Sequence, residues 1–276
     1  MGKVIAIANQ KGGVGKTTTA INLSAALAVL NKKVLLIDAD PQANATSGVG
    51  VQVDEESYTI YDCLIDDIPA NKAIVSTELA NLDLLPSSID LVGAEIEMSG
   101  SDTTKLAMIG LVDQIKDNYD YVFIDCLPSL GLLTVNALSA ADSVLIPIQC
   151  EFYSLEGYGK LKNTIDMIRE STNPDLEIEG IVMSMYDKRL SMAKIVVREV
   201  HNIVSDKIFE TIIHRNSKVG ESPSLGIPVI LYDATSKGAN NYLNLANEFL
   251  AKNEDSIFKK YSSQKVRSIL SKATSQ

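Results

Sequence analysis

The sequence predicts an α/β fold, a doubly wound and mostly parallel sheet flanked by helices. Three observations carry this prediction. Apolar Val/Ile/Leu runs alternate with amphipathic stretches, several of those runs are uninterrupted, and a glycine-rich turn joins the first run to the first amphipathic stretch. Uninterrupted apolar strands belong to a sheet covered on both faces. A glycine-rich strand-to-helix turn is where such sheets hold anions.

Taken in order, strands are expected at Lys3–Ala8, Lys33–Asp38, Leu82–Pro86, Tyr121–Asp125, Ser143–Ile148, Glu179–Ser184 and Lys207–Ile213. Helices are expected at Thr17–Leu30, Ile89–Lys116, Leu130–Ala140, Ser154–Ser171, Ala193–Ser205 and Thr235–Lys252. The 276 residues are 46% hydrophobic and 22% charged, enough for one domain of this kind. No internal repeat or low-complexity linker divides them. The expected organisation is one domain over residues 1–252 and a basic tail over 253–276, where Lys259, Lys260, Lys265, Arg267 and Lys272 follow Asp255 without an acidic residue. The first strand begins at Lys3, so an N-terminal helix-turn-helix reading a specific operator is not expected.

Composition narrows the function classes. A formal net charge of −10 argues against a general basic coat for nucleic acid, although a local basic face is compatible with it. Cys63, Cys126 and Cys150 are widely spaced and form no CxxC pair, which leaves no disulfide framework or zinc ribbon. His201 and His214 are not spaced as metal ligands. The run Val4–Ala8 is too short for a signal segment or a membrane span, and Ala6 stands where a myristoylation signal needs Ser or Thr. A cytoplasmic protein is expected.

The turn after the first strand reads NQKGGVGKTTT over Asn9–Thr19. Glycines let backbone N–H groups crowd around an anion, and the following helix N-terminus adds its partial positive charge. Lys16 is placed to reach the β- and γ-phosphates of a nucleotide, and the Thr17 hydroxyl to ligate Mg²⁺. Gln10 stands where the common G-x-x-x-x-G-K-[ST] pattern has its first glycine, and a second lysine, Lys11, enters the loop. The nucleotide-binding set is therefore Lys11, Gly12, Gly13, Val14, Gly15, Lys16, Thr17 and Thr18.

Two further segments supply carboxylates. LLIDADPQ over Leu35–Gln42 puts Asp38 and Asp40 at the carboxyl end of the second strand, the edge at which open α/β sheets bind ligands. Phosphoryl transfer needs a group that orients the attacking water and groups that hold Mg²⁺. Asp40 is assigned to the water and Asp38 to the metal shell, with a turn-capping role for Asp40-Pro41 as the alternative. YVFID over Tyr121–Asp125 is an apolar strand ending in a carboxylate, the form of a Walker B element that holds Mg²⁺.

The K-G-G-x-G-K-T loop resembles that of the deviant Walker-A ATPases, the ParA/MinD/nitrogenase-reductase group. Asp40–Gly48 resembles switch I of the ParA type. CLPSLG over Cys126–Gly131 resembles the family's D-x-P-P-S-L-G switch II, with Leu127 in place of the first proline. Pro147–Gly157 (PIQCEFYSLEG), Met185–Arg189 (MYDKR), Ile212–Gly226 (IIHRNSKVGESPSLG) and Ser236–Tyr242 (SKGANNY) are similar to the ParA/Soj branch, so the resemblance spans residues 1–252. It implies a P-loop NTPase fold and ATP hydrolysis with Mg²⁺, with Lys11, Lys16 and Asp40 catalytic, Thr17, Asp38 and Asp125 at the metal, and Asn216 at the adenine. His214 stands where the family usually has proline. The resemblance further implies that ATP joins two copies into a nucleotide-sandwich homodimer, with Lys11 reaching the partner's nucleotide.

By the same resemblance the ATP-bound dimer binds double-stranded DNA without sequence preference, and a ParB-type centromere-binding protein stimulates hydrolysis and releases it. Arg189, Arg198, Arg215 and Lys218 are the DNA-contact residues this suggests, with phosphate contact as the mechanism. The expected location is the cytoplasm, at the nucleoid. The alternative is a MinD-like membrane-positioning ATPase. It would need an amphipathic tail helix, but Ile257, Phe258, Tyr261, Val266, Ile269 and Leu270 fall into two clusters at 100° per residue instead of one stripe. Stable membrane association is not expected. A nitrogenase-reductase-like iron–sulfur site is disfavoured because none of the three cysteines has a glycine-flanked ligand context.

Overall fold

The computed structural model describes residues 2–98, 106–151, 154–204 and 207–261. Its centre is a seven-stranded sheet: β1 (Lys3–Ile7), β2 (Val34–Ala39), β3 (Val75–Ser76), β4 (Leu82–Leu85), β5 (Tyr121–Cys126), β6 (Ser143–Gln149) and β7 (Glu177–Ser184). Their spatial order is β3-β4-β2-β5-β1-β6-β7, and every pairing is parallel except β3 with β4. The uninterrupted apolar runs become strands buried on both faces. Val4, Ala6 and Ala8 join one core while Ile5 and Ile7 join the other, and Leu35/Ile37 and Val34/Leu36 divide in the same way. The pleat has period two, so alternate residues of one apolar run fill the layers above and below the sheet.

On one face lie α1 (Lys16–Val29) and α12 (Lys237–Tyr261), with Phe249 packed edge-on against Tyr121 at 5.1 Å. On the other lie α3 (Ile60–Ile65), α5 (Leu91–Met98), α6 (Ala107–Asp113), α7 (Leu132–Ala140), α8 (Ser154–Ser171) and α9 (Ser191–Ile203), which contribute residues such as Ile60, Leu91, Leu133, Leu161 and Val196 to that core. The short helices α2 (Asn44–Gly48), α4 (Ala70–Ala73), α10 (Ser217–Glu221) and α11 (Val229–Tyr232) complete the chain. The doubly wound, mostly parallel sheet expected from the sequence is present.

Several details differ from expectation, among them the antiparallel edge strand β3 and the short helices α2, α3, α4, α10 and α11, none of which is expected from the sequence. Lys207–Ile213 is not a strand. Only Ile208 forms a bridge, to Ile181, and the N–H groups of Glu210 and Thr211 turn away to the Glu248 carboxylate on α12, at 2.7 and 2.9 Å. A strand whose donors go to a side chain cannot continue a ladder. The helix expected over Ile89–Lys116 is not one helix, since α6 starts anew from Leu106 at φ −126° and a separate 3₁₀ turn covers Lys116–Asn118. Finally, α12 runs straight through position 253, where the domain was expected to end. Asn253 is buried there and donates to Glu179 at 2.8 Å and to the Phe249 carbonyl at 2.9 Å. Residues 262–276 of the basic tail lie outside the described residues.

Candidate nucleotide site

The loop between β1 and α1 takes its shape from glycine. Gly13 (φ 71°) and Gly15 (φ 88°) are left-handed, and Gly15 is the N-cap of α1. A side chain at either position would be strained. Neighbouring elements fix the loop's ends. The Asn9 amide donates to the Pro147 carbonyl on β6 at 2.8 Å and accepts from the Lys11 N–H at 3.0 Å. Ser184, the last residue of β7, donates to the Val14 carbonyl at 2.7 Å, and Met185, held at φ 52°, packs beside Gly15. Asn9 and Ser184 are not among the site residues the sequence predicts. Asn9 lies within the motif's flank, but nothing local marks Ser184, whose contact spans 170 positions.

The two lysines of the loop lie in different environments. Lys16 is buried, and its Nζ donates inward to the Lys11 carbonyl at 3.3 Å. Burial lowers its pKa, and the nearby Asp125, Cys126 and Asp40 oppose that shift. Lys11 extends the other way, its Nζ 3.7 Å from Glu151 beyond β6. Their positions thus diverge within one motif: one ammonium turned inward and one at the rim.

Asp38 and Asp125 are cross-strand neighbours in register on β2 and β5, and both are fully buried. Asp38 is saturated with donors. Its Oδ2 accepts from the Thr46 N–H (2.7 Å) and hydroxyl (2.8 Å), and its Oδ1 from the Asp40 N–H (3.1 Å). Thr46 is tied in turn by the Ser87 N–H at 3.0 Å. Even so, desolvation pushes the Asp38 pKa up to about 6. Asp125 has neither carboxylate oxygen in a hydrogen bond. Its pKa is raised by burial first and by Asp38 second, against the favourable Lys16 ammonium and the Thr17 hydroxyl, which is close but outside hydrogen-bonding geometry. Asp40 is nearly buried, and its Oδ1 accepts from the Gln42 N–H at 2.9 Å. The turn-capping role considered for Asp40-Pro41 is therefore real in this structure, and it leaves the second oxygen for other work.

A buried carboxylate without partners beside a helix N-terminal threonine is a fit for a hard divalent cation, which takes oxygen ligands. Among the described residues no group of three His, Cys, Asp or Glu could hold a metal alone. That suits Mg²⁺, which keeps several waters and shares its shell with phosphate oxygens. A cavity of about 430 Å³ opens beside Thr17 and Thr18, bounded by α2 and by Ser222–Ser224.

Asn216 caps α10, its Oδ1 accepting from the Lys218 N–H at 2.9 Å. His214 bridges to Tyr186 and packs edge-on to its ring at 5.4 Å. Its N–H donates to Asn241 on α12 at 3.1 Å. The segment from His214 to Lys218 is thereby hung between β7 and α12. Of the residues suggested for DNA contact, Arg198 and Arg215 are exposed, Arg189 pairs with Asp187 at 2.6 Å, and Lys218 pairs with Glu221 at 2.9 Å. Arg215 is tied through its N–H to the Tyr186 carbonyl at 3.0 Å, which brings it alongside the Asp187–Arg189 turn, while Arg198 sits on α9.

A parallel sheet with a phosphate loop after β1, an inward lysine, and a buried carboxylate at the end of β5 defines a P-loop nucleotide-hydrolysing protein. Comparison with known proteins narrows this class. An AAA-domain family model matches residues 2–178. The sporulation initiation inhibitor protein Soj of Bacillus subtilis is 49% identical over 251 residues, covering 91% of this chain and 99% of Soj. The chromosome partitioning protein ParA of Myxococcus xanthus is 49% identical over 250 residues, covering 91% and 88%. Among solved structures, cobyrinic acid a,c-diamide synthase from Mycobacterium smegmatis with bound ATP analogue and magnesium superposes with a TM-score of 0.80 at 33% identity, covering 95% of this chain and 96% of that one. The chain belongs to the ParA/Soj family of P-loop ATPases.

Proposed function

We propose that the chain is an ATP-dependent DNA partition ATPase. ATP joins two copies face to face, the dimer binds double-stranded DNA without sequence preference, and a ParB-type partner stimulates hydrolysis and releases it. The observation that carries this reading is the divergence of the two loop lysines. Lys16 turns into its own loop while Lys11 is held at the rim by Glu151. A cation at the rim can serve a second subunit's nucleotide, and the family relationship to Soj and ParA supports the partition role.

The chain's own groups divide the work. Backbone N–H groups from Gly12 to Thr18 and the α1 N-terminus bind the phosphates, and Lys16 neutralises charge on the transferred group. Asp40 orients the attacking water through the oxygen not used by Gln42. Thr17 and Asp125 would hold Mg²⁺, which would supply neutralisation of the phosphate charge at this site. Asp38 stands behind them and fixes switch I through Thr46. Asn216 lies at the adenine end, and Arg189, Arg198, Arg215 and Lys218 contact DNA phosphates. The protein acts in the cytoplasm at the nucleoid.

Co-sedimentation with random duplex DNA tests the reading. ATP should promote binding, affinity should fall steeply with salt, and Arg215→Ala should weaken it. If ATP never promotes DNA binding, the partition reading fails. No helix among the described residues is long and apolar enough to cross a membrane. ATP-dependent pelleting with vesicles that requires residues 253–276 would favour the membrane-positioning alternative instead.

A further inference from the structure

Glu95 lies on α5, far in sequence from any recognised motif. Its Oε1 is buried and without a hydrogen-bond partner, which for a carboxylate is costly. That oxygen sits over Gly131, where an added Cβ would lie only 2.4 Å from it. Gly131 has φ −75°, a conformation any residue adopts, so an added Cβ would meet no backbone strain and would instead displace the Glu95 carboxylate. Gly131 is also the N-cap of α7, the helix after switch II.

From Gly131 a short chain of contacts leads to the phosphate loop. The Gly131 N–H donates to the Ser129 hydroxyl at 3.2 Å, and the Thr134 hydroxyl donates to the Ser129 carbonyl at 2.8 Å. Next to Ser129, Pro128 lies 4.0 Å from where a Cβ on Gly12 would stand. The loop leaving Asp125 is thus bounded by Gly12 on one side and Glu95 on the other. A negative charge at the start of α7 is also favourable to that helix's dipole.

We infer that Glu95 is a positioning residue for switch II. It lies against the N-terminus of α7 at Gly131, and its unpaired Oε1 accepts a backbone N–H of the 127–132 segment when that segment closes on the γ-phosphate. This rests on the ATPase assignment of the same site. Displacing a catalytic loop by about an ångström can cost up to about a hundredfold in rate while leaving nucleotide binding intact. The effect therefore belongs in kcat and not in KM.

Steady-state ATP hydrolysis and melting temperature, read on four variants of the full chain, form the test. Glu95→Ala should lower kcat about tenfold with KM for ATP within about twofold of the parent. Glu95→Gln, which keeps an acceptor oxygen in the same place, should recover part of that loss. Gly131→Ala should also lower kcat by collision with Glu95, and the double variant Glu95→Ala/Gly131→Ala should be no worse than Glu95→Ala alone. Unchanged kcat in Glu95→Ala, additive losses in the double variant, or losses that track melting temperature would overturn the inference. If Glu95→Ala does not fold, the Glu95→Gln and Gly131→Ala arms decide it. A parent protein that hydrolyses no ATP would instead overturn the ATPase assignment.

Discussion

Asp38 and Asp125 are cross-strand neighbours, equally buried and of the same chemistry, yet they live in opposite conditions. Asp38 accepts three hydrogen bonds from switch I, while Asp125 accepts none. The difference lies in the path the chain takes on leaving each strand. After β2 the chain turns back at Ala43 (φ 50°) and lays α2 over Asp38, so that Thr46 reaches it with two donors. After β5 it runs away through Leu127 and Pro128 and leaves the carboxylate facing Lys16 and Thr17. A satisfied buried carboxylate holds a loop, whereas an unsatisfied one is poised for a cation.

The contrast can be broken by removing either member. The largest effect is expected from Asp125→Asn, with ATP turnover in Mg²⁺ falling about a thousandfold or more and added Mg²⁺·ADP no longer raising the melting temperature. The second is Asp38→Ala. It strands the Thr46 and Asp40 donors and should cost roughly 3 kcal/mol in chemical denaturation. A small loss there would mean that switch I is held by something other than Asp38.

A smaller effect sharpens the electrostatic half of the comparison. The folded-state pKa of Asp125 lies above its unfolded value, so its contribution to stability is full below about pH 4 and is lost as pH rises through the folded pKa. Nucleotide-free Asp125→Asn should therefore melt at the parent's temperature near pH 4 and increasingly above it toward pH 8. Equal melting at both ends would show that Asp125 is already compensated within the chain. Smallest of all is Arg189→Ala. It breaks only an exposed pair with Asp187 and should leave the melting temperature unchanged while weakening DNA retention.

Legibility in the sequence tracked the range of the cause. The phosphate loop was readable because left-handed turns at Gly13 and Gly15 demand glycine from the local backbone. Periodicity predicts a helix over Ser154–Ser171, the bounds that α8 has. Lys207–Ile213 carried the β-branched composition of a strand, but Glu248, 37 residues beyond Thr211, takes its donors. Asp38 and Asp125 could not be told apart by residue type or position. Of the groups that distinguish them, Thr46 lies in the switch I segment but nothing in that segment marks it as a donor to Asp38, and Ser87 carries no motif of its own.

By itself the sequence determined the six parallel strands, the glycine-rich loop after β1, and the three carboxylates at the sheet's edge. All of these arise from local backbone preference and the period of apolar residues. Only the tertiary structure decided which carboxylate is left unpaired, how the loop lysines diverge, and that Glu95 sits against Gly131. Those depend on which distant groups fold into hydrogen-bonding range, and hydrogen bonds and buried charge act over a few ångströms of space, whatever the distance along the chain.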